Sequence, residues 1–197
     1  PDADDAFMFY GLQAGAVTVP GFEFKHDLKD IESLNHMALK GELDVTAVSV
    51  HAFAHLKDQY AILNCGASMG GENYGPRLVV KENGEKDITN IRKIAIPGEL
   101  TSATLALKMY LLEESVEPEL INTFFDDVQK EVKEGRVEAG LLIHEGQITA
   151  HKDQLVSILD LGKWWWEKTE LPLPLGVNVV KKSLGQDGMM AVYSALK

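Results

Sequence analysis

Apolar and polar positions along this chain follow two periods in turn. Short runs rich in β-branched residues alternate with stretches in which apolar residues return every three or four positions, the signatures of strands and of amphipathic helices. Residues 5–14 (DAFMFYGLQA) read as a helix capped by Asp4 or Asp5, and residues 17–24 as a strand. Residues 29–40 place Ile31, Leu34, Met37 and Ala38 on one helical face, with Gly41 as the stop. A strand at 44–49 (DVTAVS) leads into a short helix through 51–56. Strands at 60–63 and 78–80 flank a glycine-rich loop, 66–76 (GASMGGENYGP).

Residues 81–90 are polar and turn-rich and read as a linker. The pattern then restarts: strand 93–96 (KIAI), turn Pro97-Gly98, helix 101–112, strand 120–125, helix 126–133 with Gly135 behind it, and the apolar strand 139–143 (AGLLI) ending at His144. Another strand at 156–159, a short helix beginning over 164–168, the exit LPLP at 171–174, a strand at 177–180 and a helix after Gly185 complete the chain. Strands alternating with helices imply an α/β fold with mixed, mostly parallel sheets. The restart implies two lobes, with residues 86–174 inserted into a first lobe made of 1–85 and 175–197.

Composition narrows the class. With 197 residues, 45% hydrophobic and 25% charged, the chain can bury a core without staples. Its formal net charge of −11 repels phosphate backbones and anionic lipid, so neither nucleic acid nor a membrane surface is an expected partner. A small anionic ligand is not excluded, because a local site can be positive on an acidic protein. Cys65 is the sole cysteine, which rules out an internal disulfide and a cysteine zinc cluster and fits a reducing compartment. No apolar run approaches the roughly 20 residues of a membrane span, and no signal peptide is visible. The chain starts at Pro1, so localisation is not read from that end.

Five groups carry candidate chemistry, each with a plainer reading beside it. Thr101 and Ser102 stand where strand 93–96 turns into a helix, a seat for a carboxylate or ordinary N-capping. Ser49 ends a strand, where ligands sit in open α/β sheets, or it caps the next helix. His144 also ends a strand; it is a neutral base near pH 7, or a histidine that bonds backbone. Asp2, Asp4 and Asp5 bind a hard cation or cap the first helix, the latter being the stronger expectation. His51 and His55, at i and i+4, lack the glutamate and third ligand of a zinc site. The glycine-rich loop has neither nucleotide-binding spacing, and Trp164, Trp165 and Trp166 read as packing.

Taken together, PDADDAFMFYGL, AVSVHAFAHL, GASMGGENYGP, IAIPGELTSATLAL, VEAGLLIHEGQIT and LPLPLGVNVV, in that order, resemble the 1,4-dihydroxy-6-naphthoate synthase family of the futalosine route to menaquinone. The resemblance implies a two-lobed, periplasmic-binding-protein-like (type II) fold with a ligand cleft between the lobes. It implies a cytoplasmic carbon–carbon lyase that cleaves cyclic dehypoxanthinyl futalosine to 1,4-dihydroxy-6-naphthoate without metal or organic cofactor. On it, His144 is the base, Asp5 lines the site, and Ala47, Val48, Ser49, Thr101 and Ser102 contact the substrate. A homodimer is left open.

Departures from the family pattern are the PDADD opening and Ser102 in place of a common threonine. The family also carries elements before the first motif and after the last, so the first lobe is expected to be incomplete at both ends. Rival readings are the sister enzyme chorismate dehydratase, against which the IHE motif stands, and a non-catalytic binding protein for a small carboxylate.

Overall fold

The structure, a computed structural model, describes residues 3–72, 74–143 and 154–197, with side chains described from residue 8 onward. The chain divides into two compact units, residues 1–68 with 176–197 and residues 69–175. The sequence pattern puts the first crossing at the polar stretch 81–90; the structure puts it at 68/69. The reason is long-range pairing: the strand at 77–81 joins the second unit's sheet. The chain returns to the first unit at 175/176.

The first unit holds α1 (Ala3–Gln13), α2 (Ile31–Leu39), β1 (Val45–Ser49), α3 (Val50–Leu56) and α7 (Gly185–Leu196). Strands β2 (Tyr60–Gly70) and β8 (Leu173–Lys181) each continue past the boundary, and the sheet order is β1-β8-β2. β1 and β8 are antiparallel, with Val45 opposite Val180 and Ser49 opposite Gly176. Asp30 caps α2 by accepting from the Ser33 N–H (3.0 Å), and Gly41, at φ +69°, ends it. Leu63, Val180 and Val192 form a small core joined by Phe24, Val45 and Met189. Tyr60 is fully buried and donates its hydroxyl to the Leu43 carbonyl at 2.6 Å.

Two expectations fail here. Residues 17–24 form no strand: Pro20 offers no N–H, Gly21 takes φ +83°, and the Phe22 N–H turns back to the Val19 carbonyl. The strand expected at 60–63 instead runs on to Gly70, taking in the first part of the glycine-rich loop.

The second unit holds β3 (Arg77–Lys81), β4 (Lys93–Ile96), α4 (Ser102–Glu113), β5 (Glu119–Asn122), α5 (Val128–Glu134), β6 (Ala139–Leu142), β7 (Leu155–Asp160) and α6 (Leu161–Thr169). Its sheet is mixed, in the order β5-β4-β6-β3-β7, with β4 parallel to β5 and β6, and β3 antiparallel to β6 and β7. Successive residues of a strand face opposite ways. Leu78, Val80, Ile94, Ile96 and Leu141 therefore pack with Ala103, Ala106, Leu107 and Leu111 of α4. Val79, Ala95 and Leu142 pack with Val128 and Val132 of α5. Coverage on both faces explains why KIAI and AGLL are unbroken apolar runs. α5 lies directly on β6: a Cβ on Gly140 would come within 2.7 Å of the Val128 and Val132 methyls. Among the described residues, no helix is long and apolar enough to cross a membrane.

Candidate functional site

In the first unit, Ala47, Val48 and Ser49 form the carboxyl end of β1, where the strand hands over to α3. Ser49 sits at the N-cap position of α3 with extended backbone (φ −63°, ψ 143°), yet its side chain makes no cap bond. Asn35 of α2 takes it instead. The Ser49 N–H donates to Asn35 Oδ1 at 2.9 Å, and Asn35 Nδ2 donates to Ser49 Oγ at 3.1 Å. Nδ2 also donates to Glu32 Oε2 at 3.3 Å. Asn35 is fully buried and Ser49 is 2% exposed.

Sequence reasoning missed Asn35. The signal was present, since residue 35 lies with Ile31 and Ala38 on the apolar face of α2, where a polar side chain needs a buried partner. Asn178, opposite Ala47 on β8, is also buried and was missed; its Nδ2 donates to Met8 Sδ at 2.9 Å.

In the second unit, the strand directions bring the carboxyl ends of β4, β5, β6 and β7 to one edge of the sheet. In open α/β sheets this edge is where ligands bind. Thr101 and Ser102 stand there, after β4. Thr101 is the N-cap of α4: Oγ1 accepts from the Thr104 N–H at 3.1 Å and donates toward the Gly98 carbonyl at 2.9 Å. Thr104 Oγ1 donates to the same carbonyl at 2.7 Å. The Ser102 hydroxyl donates to the Leu175 carbonyl at 2.6 Å. Both hydroxyls therefore hold protein groups. What α4 presents is backbone: the N–H groups of its first turn, with the positive end of a 12-residue helix dipole behind them.

At the same edge, Asp160 ends β7 and caps α6, accepting from the Gly162 and Lys163 N–H groups at 3.0 and 3.1 Å. Its other oxygen lies 3.3 Å from Arg77 Nε. The Leu161 N–H donates to the Pro76 carbonyl at 2.9 Å, fastening the end of the glycine-rich loop to α6. That bond braces the end of the loop against the helix.

His144 and the side chain of Asp5 lie outside the described residues, although residue 5 falls within α1. β6 leads up to His144, and Ile143 is the last residue described before it. β6 is an interior strand, flanked by β4 and β3, so its carboxyl end adjoins that of β4, which leads to Thr101. His51 and His55 are ring neighbours at 5.9 Å, and the described residues contain no group of three metal-ligating side chains. Trp164 packs edge-on to Tyr110 at 5.8 Å and donates to Glu113 Oε2 at 3.3 Å, a packing role.

A sequence model described as menaquinone biosynthesis matches residues 1–197. A curated relative from Thermus thermophilus, 1,4-dihydroxy-6-naphthoate synthase, is 36% identical over 197 residues, covering 100% of this chain and 70% of the relative. A solved structure of a protein from Archaeoglobus fulgidus is 43% identical with a TM-score of 0.88, covering 100% of this chain and 71% of that one. The ligand-binding component of an ABC-type import system from Staphylococcus aureus, solved with zinc bound, superposes with a TM-score of 0.69 at 12% identity, over 96% of this chain and 66% of that one. At that identity the likeness concerns the fold alone, which is that of the periplasmic binding proteins.

Proposed function

The chain belongs to the menaquinone-biosynthesis family, and from that premise we propose that it acts as a 1,4-dihydroxy-6-naphthoate synthase, a carbon–carbon lyase that fragments cyclic dehypoxanthinyl futalosine. The observation that carries the reading is the 36% identity, over the whole chain, to a synthase of that name. The IHE motif at 143–145 supports it and speaks against the chorismate dehydratase alternative.

In this reading His144 is the general base. A neutral imidazole takes a proton from the cyclic adduct, and the electron pair left behind drives the fragmentation into dihydroxynaphthoate and a sugar-derived piece. A base with a pKa near the working pH suits this step. Asp5 lies at the start of the same motif order and contributes a carboxylate to the site.

The substrate's carboxylate is held by the start of α4. Since the Thr101 and Ser102 hydroxyls are engaged with Gly98 and Leu175, their contribution is to set the backbone N–H groups of the first turn in place. Fixed donors of this kind orient the substrate without reorganising during the reaction. Ala47, Val48 and Ser49 are substrate contacts on the family resemblance. The reaction needs no metal or organic cofactor, and a biosynthetic step of this kind belongs in the cytoplasm.

The test is incubation of the protein with cyclic dehypoxanthinyl futalosine, following 1,4-dihydroxy-6-naphthoate by chromatography. Product formation at a rate proportional to protein is expected. A folded protein that forms no product, and instead converts chorismate or only binds a carboxylate, would overturn the reading.

A further inference from the structure

We propose that Asn35 is a positioning residue, which holds the Ser49 hydroxyl as an acceptor on one side so that its proton is presented to an anionic oxygen of the substrate. The proposal rests on the reading of Ser49 as a substrate contact.

The polarity of the pair follows from donor and acceptor chemistry. A backbone N–H can only donate, so the Asn35 atom 2.9 Å from the Ser49 nitrogen is the carbonyl oxygen. The other end of the amide is then the NH2 group, which has no lone pair to offer. Ser49 Oγ, 3.1 Å from it, must accept. The second Nδ2 hydrogen goes to Glu32 Oε2, so the amide has no freedom to flip. A hydroxyl that accepts from Nδ2 turns its own hydrogen away from it. Among the described residues, that hydrogen meets no acceptor.

Two further features make this more than packing. Serine at an N-cap position ordinarily accepts from the first turn of its own helix, an arrangement worth about 1 kcal/mol. Ser49 forgoes that bond, because Asn35 holds its oxygen. Moreover, Ser49 is 2% exposed. A donor withdrawn from water and left without an acceptor is costly, and an anionic oxygen reaching it forms a charge-assisted bond with little desolvation still to be met.

The decisive variant is Asn35→Asp. An acid at 35 sets an oxygen where Nδ2 faced Glu32, so the two carboxyls share one proton between them; one oxygen at 35 still accepts from the Ser49 N–H, and the other, no longer a donor to Ser49, accepts from its hydroxyl and reverses the hydroxyl's direction. Turnover of cyclic dehypoxanthinyl futalosine is measured for wild type, Asn35→Asp, Ser49→Ala and the double variant. The expected result is a KM raised about tenfold or more in each single variant, the loss of one charge-assisted bond. kcat changes little, and the double variant is no worse than Ser49→Ala alone. Effects that add, an Asn35→Asp variant with wild-type KM, or a Ser49→Ala variant with wild-type KM would each overturn the proposal.

Should Asn35→Asp fail to fold, Asn35→Ala takes its place in the same cycle, since it leaves the hydroxyl undirected and has the same expected non-additivity. Should the wild type not turn over, the proposed function fails on its own. The cycle is then read on the Kd of 2-naphthoate, a naphthalene carboxylate. The same non-additivity supports the role of Asn35, additive Kd changes overturn it, and absence of 2-naphthoate binding to wild type overturns both.

Discussion

Gly75 and Gly162 pack backbone against backbone: a Cβ on Gly75 would lie 2.3 Å from the Gly162 nitrogen, and one on Gly162 would lie 2.5 Å from the Tyr74 carbonyl oxygen. The contact closes the glycine-rich loop over the first turn of α6 and sets Asp160 to cap that helix while facing Arg77. Only a residue without a side chain fits at either place, since the atoms that would be met are backbone and have nowhere to move.

Gly162→Ala is therefore expected to destabilise the protein by about 2–3 kcal/mol, the upper part of the range for forced overpacking. Gly71→Ala serves as the control, because a Cβ there meets nothing within 4 Å. Urea unfolding of the two variants checks this, and equal midpoints would refute the close-packing account.

Thr101→Ala removes the oxygen that caps α4 and loosens the Thr104–Gly98 contact, so a loss of about 1–2 kcal/mol is expected. Thr101→Ser keeps the oxygen and recovers most of it. If the hydroxyl acted chiefly on substrate instead, Thr101→Ala would weaken turnover and leave the urea midpoint at the wild-type value.

Tyr60 is expected to set an alkaline limit to stability. Burial first, then the nearby Asp44 carboxylate, raises its pKa above the ordinary value of about 10, against a smaller lowering from its bond to Leu43. A group raised in the folded state contributes stability that is full below the unfolded pKa and is lost as pH climbs through the folded one. Stability is thus expected to fall above about pH 10, where the unfolded chain ionises first. Tyr60→Phe should unfold more readily at pH 7, by about 1–2 kcal/mol for the orphaned Leu43 carbonyl, and show a flatter alkaline decline. Parallel unfolding curves of the two proteins across this range would contradict the assignment.

What could be read from the chain was what local physics decides. Gly41 and Gly135 stop their helices because each takes positive φ, and KIAI is a strand of the expected length because both its faces are covered. The α4 cap follows from Thr101 and its neighbours alone. What stayed hidden depends on contacts distant in sequence. Asn35 meets Ser49 across 14 positions, and Ser102 meets Leu175 across 73. β3 belongs to the second unit because Arg77 pairs with Leu142 and Asp160, which no local pattern reveals. The failed strand at 17–24 shows the converse: β-branched and aromatic residues were present, but Pro20-Gly21 decided the backbone. For the candidate site, the residue types were legible, while the division of labour between hydroxyls and backbone N–H groups at α4 was not.

The most direct test of the account is a comparison of wild type with His144→Asn for turnover of cyclic dehypoxanthinyl futalosine and for the Kd of 2-naphthoate. A base acts in the transition state far more than in binding. A fall in kcat of about 10²–10⁴-fold is expected, with Kd unchanged within about twofold. A variant that turns over at the wild-type rate, or one that loses turnover only because it no longer binds 2-naphthoate, would contradict it.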